Sequence, residues 1–295
     1  MQRHILLYYF IACLLLGASV ASAQKTYQLS FKPQSGNKYD VVTSVVSKVA
    51  QNVMGQDMNI DLKYNIDMLY EISNKGAHKN LRMTYERLNM DMDAMGQKVR
   101  MDSDDPDTTN DASKSFRALK GETVEVVLDA KGKVIEVNGQ DKIIAKAGGD
   151  AIQKQTLEGV LGEDALKNML NQAFGFYPEH PVKVGDSWTD SMTLKVPYAI
   201  QAVNTYTLSK VEGNRGFIKS VSKLITGADS KITSYGIEMS LDLNGVFEGT
   251  SEIDLESGMF IHTEGRQNLK GNIEVQGQKI PMATATDISI TATKK

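Results

Sequence analysis

MNIDLKYNIDMLYEI, residues 58–72, places Met58, Ile60, Leu62, Tyr64, Ile66, Met68, Tyr70 and Ile72 on one register, with mostly Asn, Asp, Lys and Glu between them. Strict period-2 alternation is the pattern of a β-strand with one buried and one solvated face. Fifteen residues at about 3.3 Å each make a strand of roughly 50 Å, far longer than the usual five or six residues. Twist accumulates along such a strand, so its sheet must coil. The apolar stripe therefore covers a core, a bilayer or a greasy ligand, and each answer implies a different protein.

The pattern continues outward from this stretch. Leu81, Met83 and Tyr85 alternate, the phase slips near Arg87, and Leu88, Met90, Met92 and Ala94 alternate again, which predicts a bulge. Asn74-Lys75-Gly76 and Met95-Gly96-Gln97 supply turn chemistry, and Leu128 to Val137 reads as another hairpin. From Asp141 the period becomes helical, through Ile143, Ile144 and Ala147, then Ile152, Val160 and Leu161, then Leu166, Met169, Leu170, Ala173 and Phe174. Gly148-Gly149, Gly162 and Gly175 break this insert, and Pro178 and Pro181 close it. From Ser187 the β pattern returns.

The two β regions align with each other. Tyr70 to Leu88 (YEISNKGAHKNLRMTYERL) matches Tyr206 to Leu224 (YTLSKVEGNRGFIKSVSKL) without gaps, pairing Leu81 with Phe217. Ser35 to Tyr39 (SGNKY) resembles Val184 to Trp188 (VGDSW), and Met95 to Met101 (MGQKVRM) resembles Gln276 to Met282 (QGQKIPM). A divergent duplication is the reading. The expected fold is mainly β (α+β): a duplicated, long-stranded, curved antiparallel sheet, half-barrel or clamp with a short central helical insert. Its boundaries are 1–23 for a signal peptide, 24–139 for the first β half, 140–181 for the insert and 182–295 for the second β half, the halves forming one structural unit.

Compartment is read from the first residues. Arg3 and His4 precede an apolar run, and Ala21-Ser22-Ala23 precedes Gln24, the layout of a secretory signal cleaved near Ala23/Gln24. The expected chain is exported, periplasmic or extracellular, and does not span the membrane once the signal is removed. Cys13, the single cysteine, lies inside the apolar run without the small-residue context of a lipoprotein signal. Without it the mature chain has neither a disulfide nor a thiolate. Net charge is −3 with Lys and Arg scattered, which excludes a nucleic-acid footprint.

Three motifs invite chemistry, and each has a plainer reading. Gly185-Asp186-Ser187-Trp188 resembles the GDS signature of a serine esterase family, but that family's Asp two residues before a near-terminal His is missing, since His262 follows Met259-Phe260-Ile261. A strand-starting turn with a buried aromatic is preferred. Eight of the fourteen methionines fall between Met54 and Met101, which raises copper. Met58, Met68, Met83, Met90 and Met92, however, share the phase of Ile, Leu and Tyr, as adaptable core filler would. Met95, Met101 and His78 remain as a set that one turn could gather. Asp102 to Asp111 (DSDDPDTTND) has Pro106 at a ligand position of a calcium hand loop and lacks its Gly and Glu, so it reads as a solvated loop. No metal, cofactor or catalytic residue is expected.

The signal peptide, the G-x-x-aromatic turns at Gly36 to Tyr39 and Gly185 to Trp188, the phrase PVKVGDSW and the GQK hairpins together resemble a family of exported, β-rich Bacteroidota proteins catalogued as a domain of unknown function. The resemblance spans most of the mature chain and implies fold and compartment only, because its motifs are structural turns. The function expected is a non-enzymatic envelope protein binding a hydrophobic or lipid-like ligand on the face formed by Leu62, Tyr64, Ile66, Met68, Met83, Tyr85, Met90 and Met92. The alternatives are an envelope interaction module with a protein partner and, third, an enzyme with a carboxylate site that only folding assembles.

Overall fold

The alternating stretch lies within one strand of 20 residues, Gln56–Lys75. It belongs to an open, curved antiparallel sheet that does not close into a barrel. The computed structural model describes residues 25–53, 55–147, 158, 161–194, 199–227, 230–234 and 237–295. The signal segment with Cys13, the residues Met54, Gly148, Gly149, Ile152 and Val160, and the cleavage site before Gln24 lie outside the described residues.

Among the described residues the strands are β1 (Thr26–Tyr27), β2 (Lys38–Val53), β3 (Gln56–Lys75), β4 (His78–Ala94), β5 (Gln97–Asp102), β6 (Thr123–Leu128), β7 (Val134–Asn138), β8 (Val182–Lys183), β9 (Ser187–Leu194), β10 (Ile200–Glu212), β11 (Arg215–Thr226), β12 (Lys231–Ser234), β13 (Ile237–Asp254), β14 (Phe260–Val275) and β15 (Gln278–Lys294). Three short helices accompany them: α1 (Lys114–Leu119), α2 (Gln140–Ala147) and α3 (Glu163–Phe174). The large sheet runs β7-β6-β4-β3-β2-β15-β14-β13-β11-β10-β9, with β5 continuing beside β4 and β12 beside β13. The antiparallel pair β2 and β15 joins the two ends of the chain at its centre, Val41 opposite Ala292 and Val45 opposite Ile288.

Local chemistry fixes the hairpins. Met95-Gly96 and Gln276-Gly277 both carry positive φ at both positions, 56° and 84°, and 51° and 81°. These are the two-residue turns whose twist suits antiparallel strands, which explains why the two GQK segments look alike. The phase slip near Arg87 is a bulge: Asp67 faces Arg87 and Met68 faces Tyr85, leaving Glu86 unpaired. The strand-starting turns also match. Gly36 N–H donates to Ile72 O (2.8 Å) and Gly185 N–H donates to Leu208 O (2.8 Å). Tyr39 then faces Tyr70 as Trp188 faces Tyr206. One detail of the alignment changes. A bulge between Leu208 and Lys210 sets Ile218, not Phe217, opposite Leu208, where Leu81 stands opposite Ile72.

The helical insert packs on one end of the inner face. Leu166, Leu170 and Phe174 recur every fourth residue of α3 and are buried, with Glu163 and Asp164 in its first turn, where the helix dipole favours acids. Phe174 meets Phe31 (4.5 Å between ring centroids) and Phe260 (5.8 Å); Phe176 meets Tyr206 (5.3 Å). Trp188 Nε1 donates to Phe176 O at 2.7 Å. A single apolar cluster thus unites Met68 and Tyr70 on β3 with Tyr206 and Leu208 on β10. Those strands are six steps apart in the sheet, about 29 Å at roughly 4.8 Å per step, and the curvature of the sheet brings both toward the insert. The short helix α1 and the pairing of β1 with β8 are features that the sequence pattern does not announce.

Candidate functional site

All eight candidate residues project to the inner face of β3 and β4, because they share the strand period and the register pairs them: Leu62 with Met92, Tyr64 with Met90, Met68 with Tyr85, and Met83 with Tyr70. They divide into two groups. Met83 has no exposed surface, and Met68 and Tyr85 are 8% and 4% exposed inside the main core cluster. These three pack against protein and offer no ligand wall, a correction to the expected site. Burial pushes the Tyr85 phenol up to about 12. Leu62, Tyr64, Met90 and Met92 are half-buried and belong to none of the core clusters, while Ile66 packs against the edge of the main one. Burial also raises the Tyr64 phenol.

Register extends this surface across the sheet. From Tyr64 one inner row runs to Met90 and Met101 on one side, and to Val45 and Ile288 on the other. The adjoining row runs from Leu62 to Met92 and Val99, and in the opposite direction to Ser47, Thr286, Gln267, Phe247, Ser222, Asn204 and Asp190. Ile288 was missed as a wall residue, while Val45 between it and Tyr64 is buried. The alternation of Ile288 and Ile290 in the final strand was the available signal, but nothing local reveals that β15 lies beside β2.

In the second half the inner face bends around Phe247. A Cβ on Gly265 would lie 2.4 Å from the Phe247 ring and one on Gly249 2.9 Å from it, so the ring lies over two facing glycines. On the opposite, outer face a shallow trough of about 680 Å³ crosses β11, β13, β14, β15 and β2 at this bend. Its sides include Val46, Val221, Lys219, Glu248, Glu264 and Arg266. Both signs of charge and two valines give it no single chemical preference.

The tempting motifs resolve into structure. Ser187 Oγ lies 2.8 Å from Thr207 Oγ1 in a cross-strand hydroxyl pair beside the turn. His78 begins β4 and Met95 follows its end. At roughly 3.3 Å per residue they stand about 55 Å apart, so the Met95, Met101 and His78 set does not converge. The acidic loop is tied to its own backbone and to neighbouring cations. Asp105 Oδ1 accepts from Asp107 N–H (3.0 Å), Asp107 Oδ1 accepts from Thr109 N–H (2.9 Å), and Asp102 Oδ2 accepts from Arg87 Nη2 (3.2 Å). Arg117 donates to the carbonyls of Asp107, Thr108 and Asn110. At Asp102 burial works to raise the carboxyl, but the Asp104 N–H, Arg87 and Arg100 outweigh it and hold the group below the usual range.

Comparison with known proteins matches residues 76–260 to a family of unknown function, DUF6263. No curated protein matches the chain. Among solved structures, one described as lipid–protein interactions in lipovitellin superposes over 88% of this chain with a TM-score of 0.54 and 8% identity. The chain spans about a quarter (25%) of that lipovitellin chain, and the likeness is one of fold. An outer-membrane channel from Pseudomonas putida F1 covers 92% of this chain and 98% of its own at 7% identity, but with a TM-score of 0.25, which carries no argument.

Proposed function

The chain belongs to the DUF6263 family of unknown function, and we propose that it is an exported, non-enzymatic envelope protein that holds a hydrophobic or lipid-like ligand on the inner face of its sheet. The observation that carries this reading is the upper part of the stripe. Leu62, Tyr64, Ile66, Met90 and Met92 continue the apolar face beyond the filled core, half-buried and in register with Val45 and Ile288. Contiguous apolar surface of this kind marks a binding face. The fold likeness to a chain described for its lipid–protein interactions supports the same reading. The test is organic extraction and mass spectrometry of the protein purified natively from its host. A defined hydrophobe near one per chain is expected, and an empty extract from folded protein would overturn the reading.

A second reading rests on the outer face. Val203, Val221, Ile225 and Val246 are 39–56% exposed there, on the adjacent strands β10, β11 and β13. That apolar surface would serve an envelope interaction module. A stoichiometric protein partner that is lost on Val221→Lys, with no lipid in the extract, would favour it over the first.

A further inference from the structure

An open sheet covers a ligand from one side only. A hydrophobe lying on Leu62, Tyr64 and Met90 would keep its other side in water, whereas bound small molecules have about 70–90% of their surface buried. Apolar burial stabilises in proportion to the area removed from water, so a wall of this kind needs a cover. Register defines the open area among the described residues. Three inner rows cross β5, β4, β3, β2 and β15, and a fourth crosses β3, β2 and β15. They run from Met101, Met90, Tyr64 and Ile288 beside the core to Met58, Gln51 and Met282 near the hairpin ends. Val45 is buried in the first row, and the other positions are half-buried or exposed.

Charge and area point to what the cover is. None of these positions carries a charge, because Asp61, Lys63, Asp91, Asp93, Lys98 and Arg100 all project from the opposite face of the same strands. A face without charges offers a foreign partner nothing to steer it or to fix its register. It suits contact with itself, since a twofold interface sets the same patch on both sides and an uncharged patch meets no like charge there. Its polar groups tolerate the contact. Ser47 and Thr286 already answer each other, their hydroxyl oxygens 2.9 Å apart, and Gln51 and Gln97 lie in the two rows nearest the hairpin ends. The open positions cover about 550 Å² of sheet, from the spacing of residues and strands, and side chains standing above it expose more. Specific interfaces begin near about 600 Å² per partner.

We propose, on the ligand reading above, that a second copy of this chain covers the open wall, the two inner faces meeting about a twofold axis with the hydrophobe between them. The test is sedimentation velocity of the full protein purified natively from its host, from about 0.1 to about 100 μM, with organic extraction and mass spectrometry of the same sample. A dimer is expected at micromolar concentration. Leu62→Lys brings two lysines into the joined faces and is expected to raise the dimer dissociation constant at least about a hundredfold. Lys63→Gln, on the opposite face of the same strand, is expected to leave it unchanged. Should Leu62→Lys fail to fold by circular dichroism, Thr286→Lys in the same row is expected to act as Leu62→Lys would. A monomer at every concentration, carrying roughly one hydrophobe per chain, overturns the second copy and leaves the ligand wall standing. A dimer that survives the lysine variants overturns it as well, because the contact then lies elsewhere. A dimer that Leu62→Lys dissolves but whose extract is empty keeps the contact and overturns the ligand. A folded monomer with an empty extract overturns both.

Discussion

Met83 and Met90 are both on β4 and both point inward, but the structure assigns them opposite surroundings. Met83 has no exposed surface and faces Tyr70 on β3 and Val124 on β6. Met90 is half-buried and outside the core clusters, between Tyr64 and Met101. Truncation to alanine removes the same atoms at each site. At Met83 it leaves a cavity, for which Met→Ala costs about 2–5 kcal/mol. At Met90 roughly half the side chain is already in water and neighbours can relax, so about 1 kcal/mol is expected. Urea unfolding followed by Trp188 fluorescence is a suitable assay, because this single tryptophan is bonded to Phe176 O and stacked on Tyr206, inside the cluster that joins the two halves. With a urea m-value near ~3 kcal/mol/M, Met83→Ala is expected to lower the midpoint by about 1 M and Met90→Ala by about 0.3 M. Equal shifts would refute the division of the stripe into filled core and open wall, because Met90 would then be packed as Met83 is.

Further outcomes follow from the turns, the bend and the acidic loop. Met95 is 61% exposed with φ 56°, so Met95→Asn, which makes an Asn-Gly turn, is expected to raise the unfolding midpoint by the equivalent of about 0.5–1 kcal/mol; a loss of stability would argue against that turn. A Cβ on Gly245 would lie 1.8 Å from the Asn268 carbonyl oxygen, so Gly245→Ala forces β13 and β14 apart and is expected to cost more than about 3 kcal/mol or prevent folding. Wild-type behaviour in thermal unfolding would show that the strands are not so close. The depressed carboxyl of Asp102 stabilises the fold at pH values above the unfolded carboxyl's pKa, about 3.9, and that contribution is lost as pH falls through the folded value. Acid unfolding of Asp102→Asn is expected to show a shallower loss of stability below about pH 4 than the native chain; an identical profile would remove Asp102 from the acid response.

How much was legible depends on the range of the interaction that decided each feature. The strand at residues 58–72 and its apolar face were visible because side-chain direction in a strand is a local property with period 2. The bulge at Glu86 was visible as a phase slip, and the Met95-Gly96 and Gln276-Gly277 turns as a shared GQK phrase. The insert was visible in the change of period, with Leu166, Leu170 and Phe174 on its buried face. Its aromatic neighbours were not. Phe31, Tyr206 and Phe260 come from segments tens to hundreds of residues apart, and no spacing rule connects them. The equation of Leu81 with Phe217 failed because the bulge at Ser209 shifts the register by one residue, and a one-residue slip reverses which side chain is buried.

The candidate wall shows the same limit. Alternation alone identified Leu62, Tyr64, Ile66, Met68, Met83, Tyr85, Met90 and Met92 as facing one way, and it could not say what they faced. Met68, Met83 and Tyr85 became core because the insert, Phe31 and the returning second half cover that end of the sheet. Leu62, Tyr64, Met90 and Met92 remained half-open because they stand further along the same strands. The sequence by itself determined the strands, the sidedness of the stripe and the turn chemistry, since each rests on backbone geometry within a few residues. The tertiary structure alone decided which apolar residues are filled in and that Ile288 extends the wall. These depend on pairings such as Val45 with Ile288 and Ser47 with Thr286, in which two strands from opposite ends of the chain meet, and such contacts are fixed by the closing of the whole sheet and not by local pattern.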